Sequence, residues 1–255
     1  MPNMRCDALQ LYTVRDMTAR DFAGTMKKVA EVGYKLVETA GYGNLKTAKE
    51  AKKALDDAGL KAVSAHIALQ VLETQFDQAL ADAQALEIDT VVCPFLPEDR
   101  RKDAAGYEAV AKSLEKIGLQ FHQYGLILGY HNHNFEFQKF GDKTGLEIIY
   151  DNTPAHAVCA EVDVYWVKNA GHDPVALLNK LGERVRAIHL KDMADEAGKH
   201  FAPVGTGILD MKAILATAEK NGVRWGIVEQ DNTYSQATLM SIKTSLENLK
   251  KLGAV

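Results

Sequence analysis

The sequence has few cysteines, and the three that it has show no paired spacing. Cys6, Cys93 and Cys159 are odd in number, none belongs to a Cys-x-x-Cys motif, and the last two lie in apolar runs. A disulfide framework or a cysteine-based metal site would require paired spacings. We therefore expect buried free thiols and a reducing compartment.

Long apolar segments are also missing from the chain. No run approaches the roughly 20 residues that a helix needs to cross a bilayer. Residues 1–7 lack the apolar core of a signal peptide. We expect a cytoplasmic protein with no membrane partner, and a periplasmic form whose leader had been removed would have the same sequence.

Positive charge is not concentrated anywhere in the sequence. The chain carries 30 Lys and Arg against 34 Asp and Glu, a formal net charge of −4. Nucleic-acid binding usually requires a clustered positive field, so we expect no nucleic-acid partner, although a metal ion could supply such charge locally. The hydrophobic fraction of 47% is ample for a core, and no Pro-rich or Ser-rich linker divides the chain. The sequence predicts one domain over residues 1–255.

Short apolar, β-branched runs recur along the whole chain and alternate with segments of helical periodicity. Phe22, Met26 and Val29, for example, share one helical face. Several predicted helices end at a glycine that leads into the next strand, as at Gly33, which fits a left-handed C-cap. The predicted strands cover residues 9–14, 34–38, 61–65, 90–93, 126–131, 158–163, 185–190 and 225–229.

Eight strand-then-helix units in 255 residues, roughly 32 residues each, predict an α/β fold of the closed (β/α)8 TIM barrel type. An open doubly wound sheet is the alternative, but its usual G-x-G-x-x-G turn is missing after the first strand. Gly205 and Gly207 form a G-x-G too late in the chain to serve that role. The segment of about residues 191–209 shows no regular pattern, and we expect it to lie over the barrel mouth.

The segment from Tyr130 to Phe137, with its His-Asn-His core, is the most informative stretch. It follows an apolar strand, so His131 and His133 project from one face, about 7 Å apart. Burying ring nitrogens without partners costs on the order of 1–3 kcal/mol per group, so such a pair is poor core material. The pair suits a metal or proton-transfer site, and two satisfied or solvated loop histidines are the alternative interpretation.

Four successive strands end in the same pattern, in which two polar residues are separated by one other residue. Side-chain alternation directs both members of each pair toward the barrel axis, so eight polar groups converge. A divalent cation would neutralise this set, whereas a salt-bridge network of Lys191 with Glu161 and Asp231 could explain two of the pairs. The pairs are His131/His133, Glu161/Asp163, His189/Lys191 and Glu229/Asp231.

With these motifs the sequence resembles the sugar phosphate isomerase/epimerase proteins of xylose isomerase-like barrel type. That group includes tagatose and psicose 3-epimerases, hydroxypyruvate isomerase and inosose dehydratase, and endonuclease IV is a distant relative. The resemblance covers nearly the whole chain and rests on its strand-end motifs. They are Gly33-Tyr34 before Val37-Glu38, Ser64-Ala65-His66-Ile67, Gly129 to His133 with Phe135-Glu136-Phe137, Glu161 to Trp166, Ile188 to Asp192, Gly205-Thr206-Gly207 with Leu209-Asp210, and Val228 to Asp231.

The resemblance implies one divalent metal ion, which would be Mn²⁺, Mg²⁺, Co²⁺ or Zn²⁺. Matched position by position, the expected ligands are His131, Asp163, His189 and Glu229. The epimerases carry glutamate at the position of His131, so this ligand departs from the pattern, and Glu136 is an alternative ligand from the following loop.

The resemblance also implies an enzyme that acts on a small carbohydrate through an enediolate. His133 and Glu229 are the candidate bases, and Lys191 would stabilise negative charge or protonate a leaving oxygen. The expected substrate-binding residues are Glu38, His66, Glu136 and Trp166, with Tyr165 and Phe135 as further apolar wall. Since no cluster of Lys or Arg suggests a phosphate grip, a non-phosphorylated keto-sugar or polyol is expected. Related barrels often dimerise or form tetramers, so a homo-oligomer is a further expectation.

Four functions remain open at this level. A sugar isomerase or epimerase leads, and a lyase or dehydratase of inosose or 3-keto-glycoside type follows closely, because His131 weakens the symmetric proton exchange between two glutamates that epimerases use. A nuclease like endonuclease IV would need three metals and more ligands than these strand ends supply. A non-catalytic sugar-binding protein would not need residues that can coordinate a metal at all four expected ligand positions.

Overall fold

The computed structural model describes residues 4–234 and 237–255. Its eight main strands are β1 Arg5–Gln10, β2 Leu36–Thr39, β3 Lys61–His66, β4 Thr90–Cys93, β5 Ile127–His131, β6 Val158–Asp163, β7 Val185–Leu190 and β8 Trp225–Val228. They close into a barrel of parallel strands in the order β1-β8-β7-β6-β5-β4-β3-β2. The predicted (β/α)8 TIM barrel is therefore confirmed.

Helices follow the strands and cover the outside of the barrel. In chain order they are α1 Arg15–Thr18, α2 Phe22–Val32, α3 Ala48–Asp57, α4 Leu69–Thr74, α5 Phe76–Leu86, α6 Ala104–His122, α7 Gly145–Asp151, α8 Val164–Asn169, α9 Pro174–Leu181, α10 Met211–Lys220 and α11 Thr238–Lys251. Capping residues set where several of them begin. Asp21 accepts a hydrogen bond from Gly24 N at the start of α2, and Thr47 and Glu50 form a capping box on α3. The C-cap Gly33 has the expected left-handed φ of 117°.

The first strand is displaced from its predicted position at residues 9–14. β1 ends at Gln10, and Leu11–Val14 form a 3₁₀ helix whose N-cap is Gln10, which accepts a hydrogen bond from Tyr12 N. Residues 9–14 are buried except for Tyr12, in the strand as well as in the 3₁₀ helix, and a short, mostly apolar run does not distinguish a strand from a helical turn. The other predicted strands agree with the structure to within one or two residues.

The segment after β7 is not structureless, contrary to the prediction for residues 191–209. Asp192–Met193 pair in antiparallel fashion with Phe201–Ala202. The buried Asp192 carboxylate holds this segment by accepting hydrogen bonds from four backbone amides, which belong to Met193, Gly205, Gly207 and Leu209 at 2.8–3.2 Å. A Cβ on Gly207 would come within 2.2 Å of the Met193 carbonyl oxygen, so glycine is required there.

Asp192→Ala is expected to lower the free energy of unfolding by about 2–3 kcal/mol, because it leaves four amides without their charged acceptor. Urea denaturation measures this change, and limited proteolysis should show faster cleavage between residues 192 and 209. Glu196→Gln is the control, since Glu196 lies exposed on the same segment and pairs with Lys168 alone among the described residues. Equal stability of the two variants would contradict this role of Asp192.

The interior of the barrel has an apolar layer beneath a polar one. Five buried residues of β1, β2, β3, β7 and β8 pack together inside it, namely Ala8, Leu36, Val63, Ala187 and Ile227. Two residues further along four of these strands, on the same face, lie Gln10, Glu38, His189 and Glu229. The apolar layer closes the barrel below, so the polar side chains above it open only toward the C-terminal ends of the strands.

Two expectations about the chain as a whole can be compared with the structure. Cys6, Cys93 and Cys159 are all buried and free, as predicted. In residues 4–234 and 237–255, no helix combines the length and the apolar character that crossing a membrane requires.

Candidate active site

A cluster of buried polar side chains lies at the C-terminal ends of the barrel strands, where TIM barrels form their active sites. Strand register places its members side by side, with His131 level with Glu161 and Asp163 level with His189. A cavity of about 470 Å³ opens above the cluster. Its polar lining residues are His66, His131, His133, Lys191, Glu229 and Asp231.

The four predicted metal ligands converge in this cluster. His131, Asp163, His189 and Glu229 each offer one donor atom, and these four atoms lie within 4.8 Å of one another. His131 Nε2 is 3.6 Å from Asp163 Oδ2, and His189 Nδ1 is 2.7 Å from Glu229 Oε2. Ligands on opposite sides of an ion with bonds of 2.0–2.2 Å lie roughly 4.2 Å apart. The spacing and the two-imidazole, two-carboxylate chemistry therefore fit a divalent ion.

The Asp163 carboxylate is held so that one oxygen is directed into the cluster. Its Oδ1 accepts a hydrogen bond from Trp166 N and so caps α8. Its buried Oδ2 faces Lys191 Nζ at 3.0 Å and His131 Nε2 at 3.6 Å. Asn132, between the two histidines, accepts a hydrogen bond from Asp163 N at 3.1 Å and so joins the ends of β5 and β6. The Asp163 oxygen that is directed into the cluster therefore already faces a cationic group.

Lys191 is buried among three carboxylates. Its Nζ lies 3.0 Å from Asp163 Oδ2, 2.8 Å from Glu229 Oε2 and 2.9 Å from Asp231 Oδ1. Burial alone would lower the pKa of Lys191, but these carboxylates outweigh it and raise the pKa well above its ordinary value. The salt-bridge alternative is thus confirmed for Asp231, whereas Glu161 is not a partner of Lys191. Three carboxylates against one ammonium leave a charge of −2, which matches a divalent cation.

His133 lies near the ammonium group of Lys191 and at the cavity. Burial lowers its pKa, and the neighbouring Lys191 lowers it further, to about 3. The neutral imidazole stacks on Phe135 at 5.3 Å, and its Nδ1 has no hydrogen-bond partner among the described residues. We predicted a base with a pKa near 7, and the structure instead supplies a neutral imidazole that lines the cavity and whose buried Nδ1 has no partner in the described part of the chain.

The structure places Glu38 beneath the cavity rather than on its wall. The side chain is fully buried and accepts hydrogen bonds from Gln10 Nε2, Ser64 Oγ and His189 Nε2 at 2.5–2.8 Å. Both carboxylate oxygens of Glu38 accept hydrogen bonds from protein groups. The geometry therefore does not support the predicted role of Glu38 in binding substrate directly. Its contacts support His189 instead.

His66 lies both on the cavity wall and against the buried carboxylates. Its Nε2 is 3.0 Å from Glu38 Oε1 and 2.8 Å from Glu161 Oε2, and its ring stacks on that of His189 at 5.4 Å. Burial would lower the pKa of His66, but the two carboxylates outweigh it and raise the pKa to about 9. His66 therefore lines the cavity while its Nε2 is engaged below, and its contact with a substrate stays a prediction.

Glu136 is not brought to the cluster. Its carboxylate is fully buried and accepts hydrogen bonds from Tyr130 Oη at 2.5 Å and from His133 N at 2.8 Å. Burial raises its pKa to about 7. Both carboxylate oxygens of Glu136 are occupied by these donors. The geometry therefore favours a role in stabilising the turn after β5, and it does not favour the metal-ligand and substrate-binding roles predicted from the sequence.

Trp166 and Tyr165 lie behind the cavity wall. The Trp166 ring is 5.3 Å from the ring of His133, and Trp166 is not among the residues that line the cavity. Tyr165 is buried, stacks on Phe201 and donates a hydrogen bond to the Lys199 carbonyl oxygen. Tyr165 is therefore a packing residue, and Trp166 supports the imidazole of His133.

Four residues that the structure places at the site are missing from the catalytic, substrate-binding and metal-binding residues predicted from the sequence. Glu161 contacts three imidazoles, and Asp231 pairs with Lys191. Both belong to polar pairs that the sequence displays, so the signal was present. Tyr12 and Phe95, each nearly half exposed, line the cavity. Tyr12 was missed because the first strand was predicted to continue through it.

Known proteins similar to this chain share its fold. The model of the xylose isomerase-like TIM barrel family matches residues 26–252. An inosose dehydratase of Lacticaseibacillus casei is 27% identical over 150 residues, 51% of this chain and 49% of that protein. The chain thus spans about half the length of this relative.

Among solved structures, a sugar phosphate isomerase/epimerase from Parabacteroides distasonis superposes with a TM-score of 0.83 and 22% identity, over 98% of this chain and 94% of that one. L-ribulose 3-epimerase superposes with a TM-score of 0.73 and 14% identity, over 100% and 95% of the two chains. At such low sequence identities the superpositions show the fold alone. Family membership rests on the family model, which matches most of the sequence. The chain therefore belongs to the xylose isomerase-like TIM barrel family.

Proposed function

We propose that this protein is a metal-dependent enzyme that moves a proton at a carbon next to a carbonyl group of a small, non-phosphorylated keto-sugar or polyol. The observation that carries the proposal is the convergence of His131, Asp163, His189 and Glu229 beneath a cavity, with a charge of −2 left by Lys191 and its carboxylates. Mn²⁺, Mg²⁺, Co²⁺ or Zn²⁺ suits this mixed ligand set.

A bound divalent ion would polarise the substrate carbonyl and lower the barrier to loss of the neighbouring proton. This chain's residues supply the proton transfers. His133, neutral and with an unpartnered ring nitrogen, accepts the proton, and Glu229 is the second candidate base. Lys191, held protonated by its carboxylates, donates a hydrogen bond or a proton to a substrate oxygen.

The cavity lining favours a neutral substrate. Among the described residues that line it, Lys191 is the one Lys or Arg, and three carboxylates already surround its ammonium group. A phosphate group would require free cationic donors. The exposed rings of Tyr12 and Phe95 offer apolar contact to the carbon face of a sugar.

Isomerisation or epimerisation is the leading reaction, and elimination by a lyase or dehydratase is the second candidate. Elimination is favoured by the difference between the two proton-transfer groups, His133 and Lys191. A neutral imidazole suits removal of a proton, and an ammonium group suits protonation of a leaving oxygen. Similarity to inosose dehydratase points the same way.

The test is incubation of the metal-loaded protein with a panel of keto-sugars and inososes in D₂O. We expect solvent deuterium to enter one substrate carbon, and EDTA to abolish that exchange. A product of unchanged composition, apart from the deuterium, identifies isomerisation, and loss of water or of an aglycone identifies elimination. If metal-loaded and chelated samples exchange equally, or if the protein retains no divalent ion after dialysis, the proposal is wrong.

A further inference from the structure

Glu161 occupies the centre of the cluster. It is 1% exposed and lies on β6, between β5, which carries His131, and β7, which carries His189. Its Oε2 lies 2.8 Å from His66 Nε2, 3.1 Å from His131 Nδ1 and 3.1 Å from His189 Nε2. Glu161 is not one of the four proposed ligands, so a buried carboxylate in contact with three imidazoles requires its own explanation.

The two proposed histidine ligands turn opposite ring atoms toward the buried carboxylates. His131 directs Nδ1 at Glu161 and Nε2 at Asp163 Oδ2, 3.6 Å away. His189 does the reverse, with Nε2 close to Glu161 and 2.8 Å from Glu38 Oε1, and with Nδ1 2.7 Å from Glu229.

An ionised carboxylate accepts hydrogen bonds and donates none, so a ring nitrogen that faces a carboxylate outside the proposed ligand set keeps its proton. The other nitrogen of each ring faces a carboxylate of that set, Asp163 for His131 and Glu229 for His189, and a metal bound to that carboxylate would take the place of a proton there. In a neutral imidazole the other nitrogen then presents its lone pair, which is the form that binds a metal. For His131 this is Nε2, and for His189 it is Nδ1. Because the carboxylate layer lies below both rings, it determines which nitrogen each ring offers to the site above.

We propose that Glu161, together with Glu38, is a positioning residue that fixes opposite tautomers of the two histidine ligands, so that His131 binds the metal through Nε2 and His189 binds it through Nδ1. This inference rests on the proposed metal site. Glu161 touches neither substrate nor metal in this arrangement and acts through the imidazoles.

A second group of donor atoms within 4.8 Å of one another competes with this arrangement, formed by His66, His131, Glu161 and His189. Both groups need His131 and His189, and a neutral imidazole has only one lone pair for a metal. The two groups therefore cannot each hold an ion at the same time. The group that includes Asp163 and Glu229 leaves the remaining ring N–H groups paired with carboxylates, and it is favoured for that reason.

The tautomers can be read directly by two-bond ¹H–¹⁵N correlation NMR of ¹⁵N-labelled protein loaded with Zn²⁺, which is diamagnetic. We expect metal-shifted Nε2 and protonated Nδ1 for His131, and metal-shifted Nδ1 and protonated Nε2 for His189. The same tautomer at both histidines would overturn the inference.

Metal affinity gives a second readout, measured by competition with a chelator in Glu161→Gln, Glu161→Ala and the control Glu73→Gln. Loss of such supporting carboxylates typically weakens metal binding roughly 10–100-fold. We expect Glu161→Ala to fall in that range, and Glu161→Gln, which keeps an amide oxygen as acceptor, to lose less. Glu73, bound to Arg100 and Ser113 away from the cluster, should give wild-type affinity. Far-UV circular dichroism verifies that each variant is folded.

Three results would overturn the inference, and they are distinguishable. Wild-type affinity in both Glu161 variants would remove Glu161 from this role and leave the metal site intact. Metal retained in Asp163→Asn but lost in His66→Ala would place the ion in the deeper group, with Glu161 as a ligand. Absence of metal binding in the wild-type protein would overturn the proposed function and this inference together.

Discussion

Asp163→Asn is expected to lose bound divalent metal while the barrel stays folded. Asparagine keeps the Oδ1 that accepts a hydrogen bond from Trp166 N, so the start of α8 should survive. The substitution removes the charge from the oxygen that faces His131 and Lys191, and the charge of that network falls from −2 to −1. The loss of affinity should exceed the roughly 10–100-fold typical of residues that merely support ligands.

Elemental analysis after dialysis and chelator titration measure this loss, and far-UV circular dichroism monitors the fold. Asp173→Asn is a matched control, because Asp173 also caps a helix, α9, by accepting a hydrogen bond from Val175 N, but it lies exposed. Full metal content in a folded Asp163→Asn protein would show that the ligands are misassigned. Equal metal loss in both variants would instead point to a general effect of helix capping.

His133→Gln should lower turnover about 10²–10⁴-fold, the range ascribed to a general acid or base, with metal content close to that of the wild-type protein. His133 lines the cavity and has an unpartnered Nδ1, but it belongs to neither group of converging donor atoms. A defect in turnover without a defect in metal binding would separate its role from that of His131, two residues earlier in the same strand end.

The pH dependence adds a second measurement for His133. Its pKa is lowered to about 3 by burial and by Lys191, so the imidazole is neutral throughout the neutral range. The fall in turnover on acidification that is due to His133 is thus expected well below pH 6.5, the ordinary value for histidine. His172→Gln is the control, since His172 is exposed and packs on Phe137 outside the cavity. Comparable losses of metal and turnover in His133→Gln would make His133 a ligand instead of a base.

Much of the barrel could be predicted from sequence because its strands are buried on both faces. Such strands appear as short apolar runs, and the glycines and capping residues between them mark the helices. The first strand is the exception. The run from Leu9 to Val14 changes from strand to 3₁₀ helix at Gln10, and no periodicity in the sequence marks that point. Because the strand was predicted to continue through Tyr12, this residue was not predicted at the site, whereas the structure places it on the cavity wall.

The convergence of the site could also be predicted from sequence, because parallel strands bring their C-terminal ends to one mouth. Side-chain alternation predicted that the polar pairs of four strand ends converge, and the resemblance to a known family selected His131, Asp163, His189 and Glu229 from them. Alternation could not separate residues that face substrate from residues that lie beneath them, since both follow the same period of two. Glu38 and Glu136 were expected at the substrate, and both turned out to be fully buried and occupied by protein donors.

The sequence by itself therefore determined the barrel and the end of it that carries the converging polar pairs. These follow from local patterns of burial and alternation, which are written in consecutive residues. The tertiary structure alone decided that Lys191 pairs with Asp163, Glu229 and Asp231, that His133 is neutral, and that Glu161 contacts three imidazoles. Those outcomes depend on distances between side chains of different strands and on their burial, which no single stretch of sequence encodes.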